Sequence, residues 1–180
     1  HTAVQQGKAL DVGVSNDAAE QTREAARILA VLGTPLLIHQ PRYSMLDRRP
    51  EDEGLLDTLD ELRVGSIVYS PLEQGLLSGA IGRGYVPPAG SAQGNKKWFQ
   101  PDKLPKAVDM LESWSGLCQK YNCTVANLGI AWLLAQGENI NVLSGSTTKA
   151  QLEENVKAVG IPLSPKDAQW MLESARLADA

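Results

Sequence analysis

Four short apolar runs, each halted by a polar residue or a proline and each followed by a helical stretch, constrain this chain more than any other feature. The runs are residues 8–14, 36–40, 66–70 and 140–143. They have the length and β-branched content of buried strands. Ser15-Asn16, Pro41, Pro71 and Ser144-Gly145-Ser146 stop them, and a proline cannot donate to a continuing ladder. Between them lie amphipathic stretches of helical period, carrying Ala25, Ala26, Ile28, Leu29 and Leu32, and then Leu55, Leu56, Leu59 and Leu62. Strands alternating with helices of this length imply parallel βαβ units. No run alternates cleanly between polar and apolar, which predicts strands covered on both faces.

The helix limits are written in local chemistry. Residues 1–6 read as the last turns of a helix closed by Gly7. Asp17 with Glu20 three positions on is a capping pattern, as is Thr148 with Gln151. Pro50 and the acidic residues 51–53 suit a first helical turn, and Gly65 is the expected stop of that helix. One helix is predicted over 103–121 and a strongly apolar one over 124–136. Helices follow through Leu152, Val156 and Val159, and from Ser164 onward with Trp170 and Leu172 as packing candidates. A closed (β/α)8 barrel takes about 250 residues. The 180 residues here, with four units and two extra helices, read as the last four β/α units of a TIM-type barrel, a C-terminal portion over residues 1–180. Such a half would leave two open strand edges.

Composition narrows the partners. The chain is 43% hydrophobic and 21% charged, with a net charge of −4 and no long basic run. That argues against nucleic acid as a partner. No apolar stretch reaches the ~20 residues that span a bilayer, so no membrane partner is expected. Cys118 and Cys123 lack metal-ligand spacing and read as reduced thiols of a cytoplasmic protein. A homo-oligomer is left open.

In a parallel β/α fold the working surface lies at the carboxyl ends of the strands. In order, those ends are Ser15-Asn16, Gln40, Tyr69-Ser70 and Ser144-Gly145-Ser146. Amides and hydroxyls can grip a carboxamide, an aromatic ring can stack on a heterocycle, and free backbone amides can meet a phosphate. Taken singly, Ser70-Pro71 or Glu154-Asn155 would be ordinary turn and helix surface. Residues 90–96 hold glycines and a lysine without the spacing of a phosphate-binding loop. With the rest of residues 82–100 they read as a mobile loop that closes over a ligand, or as a solvated one.

The segments GKALDVGVSN, LLIHQPRYS, VYSPLEQGLLSG, TVANLGIAWLL and VLSGSTTKAQLEENVKA together resemble the aldo-keto reductases, over essentially the whole chain. The branch most similar holds the potassium-channel beta subunits and the bacterial L-glyceraldehyde 3-phosphate reductases. The resemblance implies reduction of aldehydes and ketones with NADP(H), with NAD(H) not excluded. It implies that Ser15, Asn16 and Gln40 hold the nicotinamide carboxamide and that Tyr69 stacks on its ring. Ser70, Leu72, Gln74 and Gly75 would underlie the pyrophosphate; Ser146, Gln151, Glu154 and Asn155 would surround the adenosine and its 2′-phosphate. No arginine stands where some members bind that phosphate, and Lys149 is the substitute at hand. The catalytic Asp, Tyr, Lys and His of the family match nothing in these 180 residues, so none of them is assigned and the chain alone is expected to be inactive. Tyr43 and Tyr85 sit in loops that could reach the rim. His39 neighbours Gln40 on a strand, so it points to the opposite face and reads as a packed histidine. The alternatives are a non-catalytic regulatory module, as in the channel subunits, or an inactive fragment.

Overall fold

The computed structural model describes residues 1–180. Four strands pair in parallel in the order β1-β2-β3-β4: β1 Val12–Ser15, β2 Leu36–Gln40, β3 Gly65–Tyr69 and β4 Ile140–Leu143. The expected strand at residues 8–14 starts only at Val12, where pairing with Leu36 begins. Thr34-Pro35 enters β2 just there, so the residues before Val12 have no neighbour, and Leu10 is 91% exposed. The register shifts by one residue between Val12 and Gly13. A β-carbon at Gly13 would lie 3.0 Å from the Ile38 carbonyl oxygen, so a larger residue at this irregularity would press on the β2 backbone.

One helix precedes the first strand and others follow each strand: α1 Thr2–Gln5, α2 Ala19–Val31, α3 Arg49–Asp52, α4 Leu55–Leu62, α5 Leu104–Ser113, α6 Ser115–Tyr121, α7 Val125–Leu134, α8 Lys149–Val156 and α9 Pro165–Asp179. Several limits differ from the sequence reading. Asp17 is no cap; α2 starts one residue later, and Gln21 Oε1 accepts the Ala18 N–H at 2.9 Å. The helix expected from Pro50 is broken by Gly54 in the left-handed region (φ 71°), and α4 ends at left-handed Arg63, which leaves Gly65 free to open β3. The single helix expected over 103–121 divides at Trp114, whose buried indole N–H donates to Ser174 Oγ on α9 at 2.9 Å. The cap expected at Thr148 holds, its Oγ1 accepting the Gln151 N–H, and α7 is capped the same way by Thr124 Oγ1, which accepts the Asn127 N–H.

The main core lies on one side of the sheet. Val68 of β3 belongs there to one cluster with Leu76, Leu77, Leu128, Trp132 and Met171, which also takes in residues of α5, α7 and α9. Leu36, Leu55, Leu59 and Val64 form a smaller cluster beneath α4. Met171 is fully buried whereas its neighbour Trp170 is 41% exposed, so the packing face of α9 runs through Met171, Ala175 and Ala178. Leu152, Val156 and Val159, through which the helix after β4 is expected to run, are exposed.

His39, Ser66, Val68 and Ile140 face these helices and are buried. Their strand neighbours Ser15, Asn141 and Leu143 are exposed, so helices cover one face of the sheet only. The expectation of cover on both faces fails for that reason. The sequence does not alternate because the uncovered face also carries apolar residues, Ile67 and Leu143 among them. No helix is long and apolar enough to cross a membrane.

Candidate functional site

Because all four strands run in parallel, their carboxyl ends share one rim. A chain of side-chain hydrogen bonds crosses it. The Tyr69 hydroxyl donates to Asn16 Oδ1 at 2.9 Å, Asn16 Nδ2 donates to Ser15 Oγ at 3.1 Å, and Ser15 Oγ donates to the Gln40 carbonyl at 2.8 Å. Asn16 adopts φ 62°, a conformation asparagine tolerates better than most residues. Tyr69 therefore reaches from the end of β3, past β2, to the residue after β1. Pairing continues beyond β2: the Tyr69 N–H donates to the Pro41 carbonyl and the Tyr43 N–H to the Tyr69 carbonyl.

Past Tyr69 the backbone is unusual. Ser70, Glu73 and Gln74 have positive φ, as does Gly75 at φ 92°. This left-handed cradle and the loop after β4 bound two depressions. One, of about 400 Å³, is lined by Tyr69, Ser70, Leu72, Gln74, Gly75 and Leu143 among others. The other, of about 550 Å³, is lined by Thr124, Thr147, Gln151, Glu154 and Asn155 among others. Leu72, Gly75 and Gly145 belong to both, so the two form one groove from β3 to α8.

Of the twelve residues singled out in the sequence, eight line this groove: Tyr69, Ser70, Leu72, Gln74, Gly75, Gln151, Glu154 and Asn155. Ser15, Asn16 and Gln40 form the hydrogen-bonded rim beside it. Ser146 is exposed and lines neither depression; its hydroxyl accepts from Asn155 Nδ2 at 3.2 Å, and the same Nδ2 donates to Ser144 Oγ at 2.7 Å. Gln151 Oε1 is spent on the α8 cap, accepting the N–H groups of Thr147 and Thr148. The Glu154 carboxylate accepts from Thr124 Oγ1 and pairs with Lys157 Nζ at 2.6 Å, and these contacts hold it below its ordinary range. Lys149, 87% exposed on its side chain, pairs with Glu153 at 3.1 Å.

The cradle rests on charges that the sequence reading did not single out. Glu73 is 3% exposed; one of its carboxylate oxygens pairs with the Arg42 guanidinium and the other accepts from Ser44 Oγ at 3.0 Å. Arg42 also contacts Asp47 at 3.2 Å. Burial raises the Glu73 carboxyl above its usual range, while Arg42 and Ser44 oppose that rise. A glutamate in a proline- and glycine-bounded loop reads as solvated, and a partner 31 positions away leaves no local mark.

Residues 82–100 are pinned at several points, with Trp98 and Phe99 buried and the Trp98 indole donating to the Leu46 carbonyl at 3.2 Å. This segment reaches the cradle where Gln93 Nε2 donates to the Gln74 carbonyl at 2.8 Å. The Tyr85 hydroxyl is held by Gln93 Oε1 at 2.6 Å. Tyr43 does not reach the rim as a free hydroxyl. It is fully buried, donates to Glu51, and burial holds its phenol well above the usual range. His39 is buried with Nε2 donating to the Asp17 carbonyl at 3.2 Å; burial lowers its pKa, as expected of a packed imidazole.

Comparison with known proteins gives a consistent result. The family model described as the Aldo/keto reductase family matches residues 1–175. The chain is 45% identical over 170 residues to the NADH-specific methylglyoxal reductase of Escherichia coli (strain K12), covering 94% of this chain and 50% of that protein. It is 39% identical over 161 residues to the L-glyceraldehyde 3-phosphate reductase of the same organism, covering 87% and 46%. A glycerol dehydrogenase structure from Gluconobacter oxydans superposes with a TM-score of 0.86 at 22% identity, over 98% of this chain and 52% of that one. The chain thus spans about half the length of the curated relatives it matches.

Proposed function

The chain belongs to the aldo/keto reductase family, and from that premise we propose that it binds a reduced nicotinamide dinucleotide along the β3-to-α8 groove as the cofactor-binding part of a carbonyl reductase. The observation that carries this reading is the continuity of the groove, with the rim of hydroxyls and amides around Tyr69 at one end and Glu154 at the other. The cradle fits the group in its own chemistry. The backbone N–H groups of Ser70, Leu72, Gly145 and Ser146 donate to none of the chain's carbonyls. Such amides suit a diphosphate.

When bound, the dinucleotide supplies the hydride that turns a carbonyl carbon into an alcohol carbon. In this reading Tyr69 offers its ring to the nicotinamide, while Asn16, Ser15 and Gln40 hold the carboxamide. Gln151, Glu154 and Asn155 border the adenosine, with Ser146 orienting Asn155. The substrate class is a small aldehyde or ketone, such as the methylglyoxal or L-glyceraldehyde 3-phosphate named for the relatives. Homo-oligomers and a cytoplasmic setting are compatible with it.

NADPH is the family expectation, yet the lining of the groove favours NADH. No lysine or arginine lines the wall at Gln151 and Glu154, and Lys149 is already paired with Glu153. A 2′-phosphate there would meet the Glu154–Lys157 pair, whose lysine is already engaged by the carboxylate. Fluorescence titration of the chain with NADH and with NADPH tests both points. Tyr69→Ala is expected to raise the dissociation constant about tenfold, since base–aromatic stacking is worth about 1–3 kcal/mol. An unchanged constant would remove Tyr69 from the site, and tighter NADPH than NADH would restore the family expectation.

A further inference from the structure

The two cysteines meet at the corner that leads from α6 into the groove wall. Asn122 takes φ 47° there, the Asn122 N–H donates to the Gln119 carbonyl at 3.3 Å, and the Cys123 N–H donates to the Cys118 carbonyl at 3.0 Å. These two bonds define a Schellman helix end, in which the side chains at the positions of Cys118 and Cys123 face each other. Both thiols are free, half-buried, and packed against the same core. The 3.0 Å bond keeps their Cα atoms within about 7 Å of one another, the separation beyond which a disulfide could not bridge them without backbone movement. Cys118 also lines an open depression of about 450 Å³ beside Gly79, Arg83 and Val125, which gives a small oxidant access.

We propose that Cys118 and Cys123 form a dithiol–disulfide site, oxidised by low-molecular-weight disulfides, that closes across the α6–α7 corner. The Cys118 thiolate attacks one sulfur of the oxidant, forms a mixed disulfide and releases one thiolate. The Cys123 thiolate then attacks the Cys118 sulfur, forms the internal disulfide and releases the second thiol. Two protein thiols and one small disulfide become one protein disulfide and two small thiols. Burial raises both thiols, Cys123 to about 11, where the neighbouring Cys118 and Glu154 charges add to the rise, so exchange accelerates with pH. The consequence is mechanical. Cys123 precedes Thr124, which caps α7, donates to Glu154 and lines the groove, so the closed disulfide ties that wall to α6.

The test treats the reduced chain with oxidised glutathione at about pH 9, where more of each thiol is ionised, then blocks residual thiols with N-ethylmaleimide. Intact mass should show the monomer lighter by two hydrogens, free of glutathione and of maleimide. Cys118→Ser and Cys123→Ser should each carry a single glutathione adduct on the remaining thiol. Wild-type protein that keeps two alkylatable thiols, carries two adducts or joins into disulfide-linked dimers would overturn the proposal. The wild-type mass decides this even if a variant fails to fold.

Discussion

Glu73 holds the left-handed cradle from beneath, and its environment makes the consequence of losing it calculable. Its carboxylate lies between Arg42 and Ser44 with almost no contact with solvent. Breaking one side of a buried ion pair leaves the other charge stranded, at a cost of about 3–5 kcal/mol. Arg42 retains Asp47 at 3.2 Å, so we expect Glu73→Ala to cost about 3 kcal/mol, the lower end of that range. Glu73→Gln keeps the shape and an acceptor for Ser44 and should cost less. Urea unfolding with an unchanged slope would measure both, and equal, negligible losses would show that the pair supports nothing. The same residue shows what one sequence hides. Ser15, Asn16, Gln40 and Tyr69 were legible because each ends a strand, and strand ends in a parallel sheet share a rim. Glu73 and Arg42 were not, since their meaning lies in a contact between loops. Tyr43 misled for the same reason: its loop sits next to the rim, yet its hydroxyl turns inward to Glu51.

Among the elements, α9 is fastened to the α6 end by one carboxylate. Asp167 accepts from Lys120 Nζ at 2.6 Å, from the Tyr121 hydroxyl at 2.5 Å and from Ser164 Oγ at 2.7 Å. It also stands in the first turn of α9, where the helix dipole favours a negative charge. The hydrogen bond from Lys120, then those from Tyr121 and Ser164, hold its carboxyl well below the ordinary range. An aspartate depressed in the folded state stabilises fully above its unfolded pKa of about 3.9 and loses that contribution as pH falls toward the folded value. The stability gap between wild type and Asp167→Asn should therefore be widest near neutrality and shrink from about pH 5 downward. Denaturant curves across that range would detect it, and a gap independent of pH would assign the effect to packing. The cap at Ser164 was legible because capping chemistry is local. The break at Trp114 was not, because it depends on an indole reaching Ser174 sixty residues on. Gly54 and Arg63 redirected the helix over α4 through backbone conformation alone. Strand and helix order survived every such shift, because it rests on period and length, which single residues barely alter.

At the scale of the molecule, four parallel strands carry helices on one face, while Leu143 is 52% exposed on the other. The sheet has two open edges, β1 and β4. Reduction of a carbonyl needs a proton donor within hydrogen-bond reach of the carbonyl oxygen and tuned to give up its proton. The chain has four tyrosines, and every hydroxyl is engaged: Tyr43 with Glu51, Tyr69 with Asn16, Tyr85 with Gln93 and Tyr121 with Asp167. Tyr69 alone stands at the rim, where its hydroxyl donates to Asn16 Oδ1. The two histidines offer no substitute, since His39 is buried beneath the sheet and His1 bonds Thr34 Oγ1 at 2.9 Å. We therefore expect these 180 residues to bind the dinucleotide and to leave methylglyoxal and 4-nitrobenzaldehyde unreduced, followed by the absorbance of the reduced nicotinamide. A polypeptide matching the other half of the Escherichia coli methylglyoxal reductase, added in trans, should bring turnover. Reduction by the chain alone, abolished by Tyr69→Phe while the dinucleotide still bound, would show that Tyr69 is itself the proton donor and would overturn its role as a stacking ring.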